Sequence, residues 1–168
     1  MILRGERVLL RPLEAGDLDR LTEILREPEV ARWWGAVEPD RVREDLLDDA
    51  ETETLAIEVE DAVVGALLIW EEPDPDYRHA ALDIFLGTRH QGRGLGVEAL
   101  TLAAHHLFAE RGHHRLTIDP AEENERAIRA YERVGFRPVG VMRLYERSRD
   151  GSWHDGLLMD LLAPDLRD

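Results

Sequence analysis

Apolar residues recur along the chain at two different periods, and the switches between them mark the elements. "RVLLRPL" (7–13) predicts a short strand that Pro12 ends or bends. Leu18, Leu21 and Leu25 then fall on one helical face, which predicts a helix capped by Asp17, running to about Arg26 and stopped by Pro28. "EPDRVREDLLDDA" (38–50) predicts a second helix with an acidic outer face. "TLAIEVED" and "AVVGALLIW" predict a hairpin across a tight acidic turn, "EEPDPDYR" a loop, and "AALDIFLG" a further strand. "GVEALTLAAHHLFAERG" predicts a helix with Val97, Leu100, Ala104, Leu107 and Phe108 inward. "HRLTIDP" is a strand that Pro120 ends, and "NERAIRAYERVG" a helix closed by a left-handed cap at Gly135. "FRPVGVMRLYER" and "SWHDGLLMDLL" form a last hairpin across "RDG".

The resulting order is β-α-α-β-β-β-α-β-α-β-β. Antiparallel strands lead, and one strand-helix-strand unit sits centrally. The fold class is therefore α/β in the broad sense, an α+β mixed sheet rather than a doubly wound parallel one. A length of 168 residues predicts one domain over 1–168.

Composition narrows the chemistry. Cysteine is absent, which excludes disulfides, thiolate metal sites and a cysteine nucleophile. The charged start "MILRGERVLLRPLE" does not read as a signal peptide, and no run approaches the roughly 18 apolar residues of a membrane span, so a cytoplasmic protein without membrane partners is expected. Net charge is −15, concentrated at the front: residues 1–78 carry 22 acidic and 9 basic side chains, a net −13. Residues 79–168 carry 14 and 12, a net −2. Such a surface is solvated and soluble, repels polyanions and attracts cations. Nucleic-acid binding is disfavoured, because no basic stripe is present to neutralise phosphates.

"RHQGRGLGVEAL" (89–100) sets three glycines at alternate positions between a strand and a helix. Amides of residues 92 to 97 can there point at an anion on the helix N-terminus. The dinucleotide fingerprint fails, since the sixth position from Gly92 is Val97. A Walker loop fails too, because the chain has no lysine. What remains is Gln91-x-x-Gly94-x-Gly96, with Arg89 before it and Gly92, Arg93 and Leu95 within it. This motif resembles the acyl-coenzyme A pyrophosphate loop of the GNAT superfamily of N-acetyltransferases. The downstream "IDPAEENERAIRAYERVGFRPVG" is similar to that family's second signature of asparagine, helix, tyrosine and Gly-Phe. "LLRPLEAGDLDRLTEIL" and the closing hairpin resemble the family's first and last elements. Within the superfamily, "ARWWG", "LDIFLG" and "IDP" look most like the aminoglycoside 6'-N-acetyltransferase branch.

Each candidate residue has a plain structural reading beside the functional one. Gly92, Gly94 and Gly96 make a tight turn or a phosphate cradle, with Gln91 and Arg93 either solvated or touching the same phosphates. Asn124 and Tyr131 lie two helical turns apart, as a helix cap and a core residue. The resemblance implies further that Asn124 bonds the pantetheine arm and that the Tyr131 hydroxyl sits by the sulfur, able to protonate the departing thiolate. Asp83 is a carboxylate in an apolar strand, which is costly unless it is solvated, paired or in use; in use, it takes the proton of the incoming ammonium. Asp119 binds the cation or caps the next turn. Trp33 and Trp34 sit on a connection, one in the core and one as a wall for a cation or sugar. The histidines at 105, 106, 113 and 114 lack metal-ligand spacing, so no metal is expected.

The resemblance implies transfer of an acetyl group from acetyl-coenzyme A to a primary amine by direct attack in a ternary complex. A backbone N–H of the strand near Phe85 and Leu86 would hold the oxyanion, while neighbouring groups pair with pantetheine. The expected partner is a cationic small-molecule amine, such as an aminoglycoside or polyamine, or a peptide N-terminus; a non-catalytic acyl-coenzyme A binding module is the rival of another class. The protein would be a monomer or homodimer.

Overall fold

One mixed eight-stranded sheet organises the molecule, and the alternation of apolar side chains along its strands decides which helices cover each face. The computed structural model describes residues 1–35, 37–148 and 150–167. In chain order the elements are β1 (Leu3–Arg4), β2 (Leu9–Pro12), α1 (Leu18–Leu25), α2 (Pro28–Trp34), α3 (Pro39–Arg43), β3 (Thr52–Val59), β4 (Ala62–Glu71) and β5 (Ala80–Leu86). There follow α4 (Leu95–Ala109), β6 (Arg115–Ile118), α5 (Glu125–Val134), β7 (Arg137–Arg147) and β8 (Trp153–Leu162). The sheet order is β1-β2-β3-β4-β5-β6-β8-β7, antiparallel throughout except between β5 and β6. Helix α4 is the crossover of that parallel pair, so the central β-α-β unit stands where the glycine pattern puts it.

Three local expectations need correction. Asp17 does not cap α1 with its side chain. Its carboxylate instead takes Arg11 in a bidentate pair at 2.8 and 2.9 Å and accepts the Glu14 N–H at 2.9 Å. Pro28 ends one helix but also opens another: at the first helical position its missing N–H costs nothing, so residues 28–34 are helical and both tryptophans ride on α2. The two-residue β1 escapes the hydrophobic pattern because it is too short to show one. The acidic hairpin turn stands, with Glu60 and Asp61 both at positive φ (50° and 61°), as the twist of a two-residue loop demands. Arg149 of the last hairpin's turn lies outside the described residues.

Two apolar clusters hold the layers together. Leu10, Leu55, Leu67, Leu82 and Leu116 meet Leu95, Leu100, Leu107, Tyr131 and Val134 of α4 and α5 on one face. Ala56, Ala66 and Phe85 meet Leu21, Ile24, Val30, Val42 and Leu46 of the N-terminal helices on the other. Polar clasps then tie helices to the strand ends. Glu27, between α1 and α2, accepts the Thr88 N–H at 2.6 Å, just past the strand. Glu98 on α4 accepts the N–H groups of Arg7 and Val8 at 2.7 and 3.0 Å.

Gly65 on β4 sits directly opposite Leu86. A Cβ there would collide with the Phe85 carbonyl oxygen and lie 3.0 Å from Leu86 Cα, both of them backbone that cannot rotate away. Gly65→Ala should therefore lower stability by about 1–3 kcal/mol, read as a lower urea midpoint at unchanged m-value. A midpoint equal to wild type would show that β4 and β5 separate without cost.

Candidate active site

The parallel pairing of β5 with β6 lasts only from Ala80↔Leu116 to Ala81↔Thr117. Beyond it the strands part, and a cleft of about 850 Å³ opens, reaching from Trp33 and Trp34 on one side to the glycine loop and α5 on the other. The antiparallel ladder with β4 decides which backbone groups face the gap. Gly87 N–H donates to Val64 O and Glu72 N–H to His79 O, so by alternation Phe85 and Asp83 also turn their backbone groups to β4. Ile84 and Leu86 turn theirs to the cleft. Of the two positions expected near the oxyanion, Leu86 presents its N–H there and Phe85 does not; the Phe85 ring is buried in the core.

The glycine loop is built for close approach. Gly92 (φ 70°) and Gly94 (φ 79°) occupy left-handed backbone, and Gly94 is the residue before the first turn of α4. Gly96 and both of these line the cleft. Gln91 Nε2 donates to Leu86 O at 2.8 Å, so its side chain ties the loop to β5 instead of reaching outward. The Arg93 carbonyl accepts from Arg7 Nη1 at 2.8 Å, and the Arg93 side chain does not line the cleft. Leu95 is buried in the core and can offer only backbone. Opposite the loop stands Arg126 of α5: its Nη2 would lie 3.0 Å from a Cβ on Gly92. Arg126 has no carboxylate partner among the described residues, in a chain of net −15. Arg129 and Arg133 line the same wall, Arg129 paired with Glu125 at 3.3 Å.

Asn124 is the N-cap of α5, its Oδ1 accepting the Ala127 N–H at 3.2 Å, and it lines the cleft as well. The cap and the cleft wall are one residue. Tyr131 is both core and site. Its ring packs edge-on against Phe136 at 6.3 Å, and it borders the cleft. Burial first, then the charges of Asp83 and Asp119, push its phenol well above the ordinary range. It holds its proton and can donate it.

The other end of the cleft is acidic. Asp83, Asp119 and Glu146 line it, and Glu29 stands nearer the tryptophans. Burial pushes the Asp83 carboxyl up to about 7, the Asp119 and Glu146 charges add to the rise, and the Ile84 N–H that it accepts at 2.9 Å opposes it. Solvent in the cleft still reaches this side chain, although protein surrounds it on most sides. The Tyr145 hydroxyl donates to Asp119, which raises that phenol to about 12. Trp34 packs edge-on against Phe85 at 4.8 Å, and Arg32 lies 4.6 Å over the Trp33 ring. Both tryptophans line the cleft, and Trp34 also joins the core.

The family model described as an Acetyltransferase (GNAT) domain matches residues 7–137. The chain belongs to the GNAT acetyltransferase family. It is 27% identical over 158 residues to the spermidine N(1)-acetyltransferase of Escherichia coli strain K12, covering 90% of this chain and 84% of that protein. It is 28% identical over 161 residues to the aminoglycoside N(6')-acetyltransferase type 1 of Klebsiella pneumoniae, covering 82% and 78%. Among solved structures, RimJ of Mycobacterium smegmatis, in complex with a CoA disulfide, superposes with a TM-score of 0.84 at 23% identity, covering 100% of this chain and 88% of that one. The mixed sheet is thus the GNAT fold, and the protein is an acetyltransferase.

Within this GNAT cleft the structure gathers Trp33, Trp34, Asp83, Phe85, Leu86, Gln91, Gly92, Gly94, Gly96, Asp119, Asn124 and Tyr131. Arg93 and Leu95 do not line it. The sequence reading missed Arg126, Tyr145 and Glu146. Arg126 carried a usable signal, since it lies two residues past the N-cap and so faces the same end of the helix as Asn124. Tyr145 and Glu146 carried none, because the register of β7 is irregular there.

The raised Asp83 carboxyl has a consequence for stability. Between about pH 4 and about pH 7 the native state binds a proton that the unfolded chain has lost, so this residue makes stability fall as pH rises through that window. Asp83→Asn should melt at a higher temperature than wild type above pH ~7 and at the same temperature near pH ~4. Equal melting curves across that range would place the Asp83 carboxyl in ordinary solvent.

Proposed function

We propose that this acetyltransferase moves the acetyl group of acetyl-coenzyme A onto a primary amine of a small, multiply charged acceptor, with the 6'-amine of an aminoglycoside as first choice and a polyamine as second. The observation that carries this reading is the placing of a carboxyl poised near neutrality, Asp83, and a proton-holding phenol, Tyr131, on one cleft between a glycine loop and an acidic wall. The aromatic pair on α2 suits a sugar ring better than a bare alkyl chain, which ranks the two acceptors. Similarity to aminoglycoside and spermidine acetyltransferases supports the class of acceptor.

When bound, acetyl-coenzyme A supplies a thioester carbonyl. The amides of the glycine loop, the α4 N-terminus and Arg126 hold its phosphates from two sides. Asn124 meets the pantetheine arm, and Leu86 offers a backbone N–H to the carbonyl oxygen as it gains charge. Asp83 takes a proton from the acceptor ammonium, since only a neutral amine attacks. The new C–N bond forms as the C–S bond breaks, and Tyr131 gives its proton to the sulfur. The nitrogen's second proton passes through cleft water to the Tyr131 oxygen, while Asp83 releases its own to solvent. Asp119, Glu146 and Glu29 draw the cation in, so turnover should weaken as salt rises.

Acetyl-coenzyme A at a hundredfold excess over Kd should stabilise the fold by about 2.7 kcal/mol, read as a raised Tm. Gly94→Asp should abolish the shift by setting a carboxylate against phosphate, and Arg126→Gln should reduce it. An unmoved wild-type Tm would sink the cofactor assignment.

For the chemistry, Tyr131→Phe should lower kcat by about 10² to 10⁴ with acetyl-coenzyme A binding nearly unchanged. Thiol release measured with kanamycin-type aminoglycosides, spermidine and short N-terminal peptides under identical conditions ranks the acceptors. A kcat/KM for peptides well above every small amine would replace the acceptor class, and release with none would favour a binding module.

A further inference from the structure

β7 leaves its regular ladder beside the cleft. Its register against β8 shifts between Met142 and Glu146, and within that bulge Leu144 adopts φ 49°. A left-handed conformation is costly for a residue with a Cβ, and Leu144 is 66% exposed, so its own packing does not offset the cost. Something else must hold the bulge.

Two adjacent residues of β8 do so. Asp155 Oδ1 accepts the Leu144 N–H at 2.7 Å, satisfying a donor that the bulge removes from the ladder. Gly156 faces the Tyr145 ring so closely that a Cβ there would lie 2.8 Å from Tyr145 Cδ1. The same stretch grips the opposite wall. Asp155 O accepts the Glu122 N–H at 2.9 Å, Leu157 N–H donates to Pro120 O at 2.8 Å, and Gly156 bridges to Ala121. Residues 155–157 thus fix both the segment that follows Asp119 and the bulge that carries Tyr145 and Glu146. In a regular strand Tyr145 and Glu146 would point to opposite faces. The bulge lets the Tyr145 hydroxyl reach Asp119 while Glu146 enters the cleft wall.

We propose that Asp155 and Gly156 are positioning residues for the acceptor side of the reaction, acting through the bulge on Tyr145, Asp119 and Glu146. Neither touches the acceptor. Asp155 supplies the hydrogen bond that keeps Leu144 left-handed, and Gly156 supplies the space against which the Tyr145 ring lies. The inference rests on the acceptor reading above, and the two can fail separately.

The test is a mutant cycle on acceptor kinetics, with acetyl-coenzyme A binding followed in parallel. Asp155→Ala should raise the amine KM about tenfold, change kcat less than about threefold, and leave the Kd for acetyl-coenzyme A unchanged. Asp155→Asn, whose amide oxygen can still accept the Leu144 N–H, should recover most of the loss. Because the effect passes through Glu146, Asp155→Ala in a Glu146→Gln background should raise KM far less than it does in wild type. Gly156→Ala should mimic Asp155→Ala. Additive effects in the double variant, no recovery in Asp155→Asn, or a lowered Tm with unchanged KM would each overturn the proposal and leave Asp155 a purely structural residue. Failure of the wild type to acetylate any amine while binding acetyl-coenzyme A would instead overturn the acceptor reading, and the inference with it.

Discussion

The incomplete pairing of β5 with β6 is the constraint on which the rest depends. Two residue pairs hold the strands together, and two residues further on they have parted. Pro120 contributes to the parting, because it has no N–H with which to continue the ladder. β8 contributes more, since its backbone bonds Pro120 and Glu122 and draws that segment away from β5. A gap in the middle of a sheet strands polar backbone groups, which is expensive wherever they go unpaired. The chain meets part of that cost locally. The Ile84 N–H goes to the Asp83 carboxylate and the Leu86 carbonyl to Gln91. What is left over faces the cleft, where a ligand with an amide-rich arm can complete the sheet.

Charge is sorted along the same gap. At one end the open amides of α4 and the guanidinium of Arg126, which has no carboxylate partner among the described residues, favour an anion. At the other, burial and then the charges of Asp119 and Glu146 raise the cost of ionising Asp83. Tyr131, buried between the core and the carboxylates, keeps its proton for the same reason. Neither arrangement helps the fold. A core residue with a hydroxyl that makes no hydrogen bond among the described residues, and a carboxyl pushed towards neutrality, are features that packing alone would select against.

Much of this could be read from the chain. Hydrophobic periodicity and turn residues were enough for the strand and helix order from β3 onward, the hairpins and the β-α-β unit, because those signals are local and strong, whereas β1 and α2 escaped them. The glycine spacing and the absence of lysine and cysteine restricted the chemistry, because each phosphate loop and nucleophile needs particular residue types at particular spacings, while the Asn124-to-Tyr131 helix spoke through its resemblance to the GNAT signature. Where the reading failed locally, one element had two compatible roles. Pro28 both ends a helix and starts the next, and Asp17 is a good cap that an arginine claims first.

Tertiary structure alone decided which side chains share the cleft. Nothing local places Arg126 over Gly92, since one stands on α5 and the other on the loop before α4, brought together by burial of both helices on one sheet face. Nothing local turns Tyr145 towards Asp119, since that depends on a strained residue held by a carboxylate from the neighbouring strand. The sequence determined the elements and the kinds of chemistry available, because periodicity and residue type are properties of short segments. Only the folded sheet determined where two strands stop pairing, because that depends on a balance of hydrogen bonds among segments far apart in the chain.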